Sequence, residues 1–153
     1  MSIDEQAHAL LNEVMTPKRR ARQRIAEPLR DVQQHEIETP AGKIAAWRHG
    51  EGPAVLLVHG WQDDNSLWSP LISALGEIGI ASVAFDLPGH GFSEGDRCAP
   101  YVASEVLQQV AATLGPIDSV VTHSFGGPVN GLALINGFTT RRIPLISPPP
   151  GRN

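Results

Sequence analysis

Apolar and polar residues are patterned in two ways along this chain. From Gln33 to Glu38 and again from Lys43 to Arg48 they alternate with a period of two, around the turn formers Thr39-Pro40-Ala41-Gly42. That combination predicts a β-hairpin. Ala54-Val55-Leu56-Leu57-Val58 is apolar without a break, and Ala81 to Phe85 is nearly so, as expected of strands covered on both faces. Between them the period lengthens. Leu67, Leu71, Leu75 and Ile78 mark a helix from Ser66 to about Ile78, and Val102, Val106, Val110 and Leu114 mark another from Tyr101 to Leu114, stopped by Gly115-Pro116. Ser119 to His123 predicts a third such strand, Phe125 to about Asn136 a helix, and the stretch near Ile143 to Ile146 a last strand. Strands and helices in this order predict an α/β fold: a mostly parallel, twisted sheet with helices on both faces and right-handed crossovers.

The amino terminus is organised differently. Ser2 and Glu5 have capping-box spacing, and Ile3, Ala7, Leu10, Leu11 and Val14 fall on one face of the helix they would start. Thr16-Pro17 reads as a cap followed by proline at a first helical position, opening a second, basic and solvated helix to about Ile25. The chain thus divides into an amino-terminal helical segment, 1–32, and an α/β domain, 33–153. Lys18, Arg19, Arg20, Arg22 and Arg24 supply five of the twelve basic residues, whereas the chain from Gly50 onward carries four basic against nine acidic ones. A mildly acidic body of this kind is not a nucleic-acid binder by charge. No run approaches the ~18 apolar residues of a membrane span, and the first fifteen residues do not read as a secretory leader. The single cysteine, Cys98, is expected to be a semi-exposed thiol, and no cysteine-histidine spacing suggests a metal site. Those features fit a reducing, cytoplasmic setting.

Chemistry concentrates at Thr122-His123-Ser124-Phe125-Gly126-Gly127, where a serine follows a predicted strand and precedes a predicted helix. A sharp turn there strains the serine backbone and directs its hydroxyl out at the carboxyl end of the sheet. His59-Gly60-Trp61 ends the first buried strand, and Asp86-Leu87-Pro88-Gly89-His90-Gly91-Phe92-Ser93 forms a glycine-rich loop after the second. Together with the hairpin, in this order, these features resemble the amino-terminal part of an α/β-hydrolase-fold protein of the serine esterase or lipase type. The resemblance covers about residues 33–147 and implies a fold truncated after about the sixth strand, without the lid and the last strands. One departure is Thr122, where the family has glycine; a β-branched residue is expected to crowd the approach to the turn.

The resemblance implies Ser124 as nucleophile, the backbone N–H groups of Trp61 and Phe125 as oxyanion donors, and a small residue at Gly126. It gives His59, Gly60, Asp86 and His90 roles in holding the loops, and Trp61, Trp68 and Phe125 a place beside an apolar acyl ligand. No cofactor is implied, and aspartate-dependent epoxide hydrolase or dehalogenase chemistry is disfavoured by the serine. In the family, base and acid come from loops after later strands, yet no His, Asp or Glu follows Ser124 here. Since neighbouring strand residues point to opposite faces, His123 is expected to be turned into the fold, which leaves His59 and His90 as stand-ins for the base. Two functions stay open. One is a serine hydrolase attacking a small-molecule acyl ester or related carbonyl through an acyl-enzyme, weak or inactive as this chain. The other is a non-catalytic hydrolase fragment that binds a small apolar ligand or self-associates through its last strand, an edge blunted by Pro144 and Ser147-Pro148-Pro149-Pro150.

Overall fold

The predicted alternation of strands and helices appears almost element for element in the computed structural model, which describes residues 1–142 and the short strand Leu145–Ile146. The hairpin is β1 (Gln34–Thr39) and β2 (Gly42–His49), paired in antiparallel register from Gln34↔Trp47 to Thr39↔Gly42. The uninterrupted apolar runs are β3 (Ala54–Val58) and β4 (Ala81–Phe85), and β5 spans Ile117–His123. Helix α2 (Ser69–Glu77) follows a 3-10 turn at Asn65–Trp68, so the helical stretch expected from Ser66 changes its hydrogen-bond pitch at Ser69. Helix α3 spans Pro100–Leu114, α4 Gly126–Ile135, and β6 is Leu145–Ile146. Ile143, Pro144 and the proline run from Ser147 to Pro150 lie outside the described residues.

The strand order is β1-β2-β4-β3-β5-β6. The centre, β4-β3-β5-β6, is parallel, and the hairpin joins it antiparallel through β2 and β4. Because successive residues of a buried strand point to opposite faces, the sheet builds two apolar layers. One face carries Ile44, Leu56, Val58, Val83, Phe85 and Val120 against Val106, Leu107 and Val110 of α3 and Val129 and Ala133 of α4. The other carries Trp47, Leu57 and Ala84 against Trp68, Ile72 of α2 and Leu29. Full burial of each of the valine, leucine, isoleucine and phenylalanine side chains among these contributes about 1.5–3 kcal/mol. Helices therefore cover both faces.

The amino terminus departs from expectation in one respect. Helix α1 (Ile3–Met15) forms with its capping box, Ser2 N–H to Glu5 Oε2 at 2.6 Å and Glu5 N–H to Ser2 Oγ at 3.2 Å. The second helix expected over 17–25 does not form; residues 16–26 run as a non-helical strap across the loops after β3 and β4. Tertiary partners override the helical signal there. Arg19 donates to three backbone carbonyls, Gly91 O at 2.9 Å and Ser93 O and Gly95 O at 2.7 Å, and Ala26 N–H donates to Asn65 Oδ1 at 2.8 Å. Cys98 is also unlike its expectation: it is 1% exposed, packed in the α3 layer, and burial pushes its thiol up to about 12.

Candidate active site

Strands β3 and β5 lie side by side and parallel, with Val58 opposite Thr122, so the loops that leave them emerge together at one end of the sheet. From β3 the chain crosses to β4 on one side, and from β4 it returns past β3 to β5 on the other. A crevice at the carboxyl ends of strands, where the winding reverses, is the usual ligand position in open α/β sheets. Ser124 stands there. It is the first of two residues between the end of β5 and the start of α4, it is exposed, and its φ is 50°. Left-handed backbone at a non-glycine residue costs about 1–3 kcal/mol and persists only where the surroundings enforce it.

Gly126 helps to enforce it. A Cβ at that position would lie 2.5 Å from Val58 O and 3.0 Å from His59 O, so no side chain fits between the turn and β3. Thr122 does not crowd the approach: it is buried at 1% exposure, and its Oγ1 lies 3.9 Å from where a Gly127 Cβ would sit. The Ser124 side chain does not cap α4 either. Phe125 holds the cap position with no side-chain hydrogen bond, and the Ser124 hydroxyl makes none among the described residues.

The loop after β3 abuts this turn. A Cβ on Gly60 would lie 3.2 Å from Ser124 Cβ and 3.0 Å from His123 Nδ1. Trp61 packs edge to face on Phe125 with ring centroids 5.2 Å apart, and on His90 at 5.5 Å. Neither the Trp61 nor the Phe125 amide is used by a hydrogen bond among the described residues. His123, half-buried and with no partner for its Nδ1 among the described residues, lies against Gly60. Trp68 does not join Trp61 and Phe125: it is 4% exposed in the α2 layer, whereas the other two rest on the α3 layer.

Both loop histidines are fully engaged. His59 Nε2 accepts the Leu87 N–H at 3.0 Å, which puts the proton of the neutral ring on Nδ1, 2.7 Å from Gly60 O. Burial, reinforced by His90, drives its pKa down to about 3. His90 repeats the arrangement, accepting the Gln62 N–H on Nε2 at 2.8 Å with Nδ1 2.9 Å from Pro88 O, and burial lowers its pKa too. Asp86 is wholly buried, and its carboxylate accepts the N–H groups of Asn65 at 2.8 Å and Phe92 at 2.9 Å. Burial nonetheless raises its pKa to about 6. These three residues tie the loops after β3 and β4 to each other.

Sequence reasoning missed Asn65, which joins Asp86 to the strap through Ala26 N–H and Arg24 O, and Gln62, whose φ of 58° sits directly after Trp61. The cluster Asp63-Asp64-Asn65 is a turn signal that could have drawn attention to both. Among the described residues no group of histidine, cysteine and carboxylate side chains is placed to hold a metal ion, and no helix is long and apolar enough to cross a membrane.

Comparison with known proteins agrees with this fold. The chain is 37% identical over 108 residues to a serine hydrolase-like protein of Homo sapiens, covering 66% of this chain and 53% of that protein. It is 39% identical over 98 residues to Esterase Rv0045c of Mycobacterium tuberculosis, covering 60% of this chain and 32% of the esterase. An epoxide hydrolase from an endophytic Streptomyces superposes with a TM-score of 0.64 at 28% identity, over 76% of this chain and 37% of that one. This chain spans about half of the human relative's length and about a third of the esterase's. The profile of the Alpha/beta hydrolase family matches residues 55–153, the segment that holds β3, both loops and the serine turn, and the chain belongs to that family.

Proposed function

We propose that this chain supplies the nucleophile and the oxyanion-binding groups of a serine hydrolase acting on a small-molecule acyl ester or related carbonyl compound. One observation carries the reading: Ser124 is exposed and held at positive φ on a strand-to-helix turn, and its hydroxyl is unengaged among the described residues. In this reading Ser124 Oγ attacks the carbonyl carbon as its proton passes to a base. The carbonyl oxygen, now an anion, takes hydrogen bonds from the N–H groups of Trp61 and Phe125. The alcohol leaves with a proton, and water then hydrolyses the acyl-enzyme. Amides fixed at the ends of two adjacent strands need no reorganisation as charge develops, and each is worth about 2.7–4 kcal/mol of transition-state stabilisation.

Neither loop histidine supplies the base. His59 and His90 each have one ring nitrogen accepting an amide and the other beside a carbonyl, and neither is a free proton acceptor. The names of the human and mycobacterial relatives, a serine hydrolase-like protein and an esterase, support the same class of chemistry.

A fluorophosphonate probe tests the assignment, because Oγ displaces fluoride from phosphorus and keeps the label. We expect wild-type chain to be labelled and Ser124→Ala not to be. Equal labelling of both overturns the nucleophile.

A further inference from the structure

The strap and the proposed oxyanion loop meet at Gln62, three of whose polar groups are taken. Its N–H donates to His90 Nε2 at 2.8 Å, its side-chain Oε1 accepts the Lys18 N–H at 2.9 Å, and its carbonyl accepts from Arg20 Nε at 3.4 Å. Arg20 Nη2 continues to Asp63 Oδ1 at 3.0 Å. Gln62 is exposed, so burial does not hold it, yet its φ is 58°, a conformation that a glutamine rarely adopts unaided. The residue before it is Trp61. The peptide plane between the two is therefore fixed from the Gln62 side, and the Trp61 N–H lies one residue back along the same stiff backbone.

Arg19 secures the other end of the arrangement. Its three carbonyl acceptors, Gly91, Ser93 and Gly95, all lie in the loop that carries His90. Three consecutive strap residues, Lys18 to Arg20, thus hold both loops that surround Gln62.

We propose that the strap Lys18–Arg20 is a positioning element for the oxyanion site: it clamps Gln62 in its left-handed conformation and so aims the Trp61 amide. This rests on the reading of Trp61 as an oxyanion donor. Gln62 itself touches no reacting atom; it acts through Trp61. The strap lies outside the matched family segment, which begins at residue 55.

The test compares Gln62→Gly, Gln62→Glu and the wild-type chain. Glycine accepts the same φ without strain but offers Lys18 no side-chain acceptor, whereas a glutamate oxygen still does. Amide hydrogen exchange at Gln62 should speed up in Gln62→Gly and return to the wild-type rate in Gln62→Glu, with the amides of β3 and β5 unchanged in both. The rate constant for fluorophosphonate labelling of Ser124 should fall at least ~10-fold in Gln62→Gly, short of the ~10²–10³ lost when an oxyanion donor is removed outright, and recover in Gln62→Glu. Equal exchange at Gln62 in wild type and Gln62→Gly overturns the clamp. Faster exchange with undiminished labelling overturns the aiming of Trp61 but leaves Ser124 as nucleophile. Labelling that persists in Ser124→Ala removes the serine reading and the positioning role with it, while the exchange data still decide the clamp.

Discussion

Ser124 and Gln62 are the described non-glycine residues with positive φ, at 50° and 58°, and they occupy the loops that leave the adjacent strands β5 and β3. Strain gathered at one end of one sheet is the pattern of a site whose surroundings over-determine a few residues. Gly126 is one of those surroundings, and its role separates from that of its neighbour. Gly126→Ala should lower the urea midpoint by an amount equivalent to about 1–3 kcal/mol, because the new methyl meets backbone oxygen that cannot rotate away. Gly127→Ala places its methyl no closer than 3.9 Å to Thr122 Oγ1 and should be neutral, or stabilising by up to ~1 kcal/mol through helix propensity. A Gly126→Ala midpoint equal to that of wild type would show that the turn can open away from β3.

The elements differ in how far they depend on the rest of the chain. Helix α1 has its capping box, but none of its residues is buried, and Ile3, Leu10 and Val14 are 83%, 61% and 63% exposed. The strap has no regular hydrogen bonding of its own and yet is tied down at Pro17, Arg19, Arg20 and Ala26. Deleting residues 1–13 should therefore leave Tm within about 2 °C of the full chain, while deleting residues 1–26 should lower it by more than about 5 °C. Differential scanning fluorimetry on the two truncations checks this. Equal losses from both would mean that α1 packs on the body after all.

Across the whole molecule, the buried titratable groups set how stability varies with pH. His59 has a pKa of about 3 when folded, against 6.5 otherwise, so between those values the unfolded chain takes up a proton that the folded one refuses. Stability from this group falls as pH drops below about 6.5, by up to about 1.4 kcal/mol per pH unit. The lowered pKa of His90 acts in the same direction. Asp86 opposes them: its pKa rises from 3.8 to about 6, so the folded state holds its proton more tightly, and stability from this group rises as pH falls through that window. Two histidines against one carboxyl should leave a net loss on acidification from pH 7 to 4, read by urea unfolding at each pH. His59→Gln should flatten that slope and Asp86→Asn should steepen it. A wild-type stability that rises on acidification would mean that Asp86 outweighs both rings.

The sequence by itself determined the class of fold and the position of the serine turn within it, because both rest on local signals. Apolar runs of five residues between turn signals suit covered strands, 3.6-residue stripes suit helices packed by one face, and a serine between a strand and Gly126 suits a sharp turn. Those signals placed β3 and β4 to the residue, and Ser124, Trp61, His59, Asp86 and His90 at the ends of strands. Tertiary structure decided what depends on partners distant in the chain. It decided that the basic stretch after Pro17 becomes a strap, because one guanidinium finds three carbonyls more than seventy residues away. It decided that Cys98 is buried, that Trp68 belongs to the opposite layer from Trp61, and that both loop histidines are locked as neutral rings. None of these is a property of spacing, since each follows from which atoms the folded chain brings within hydrogen-bonding or van der Waals reach.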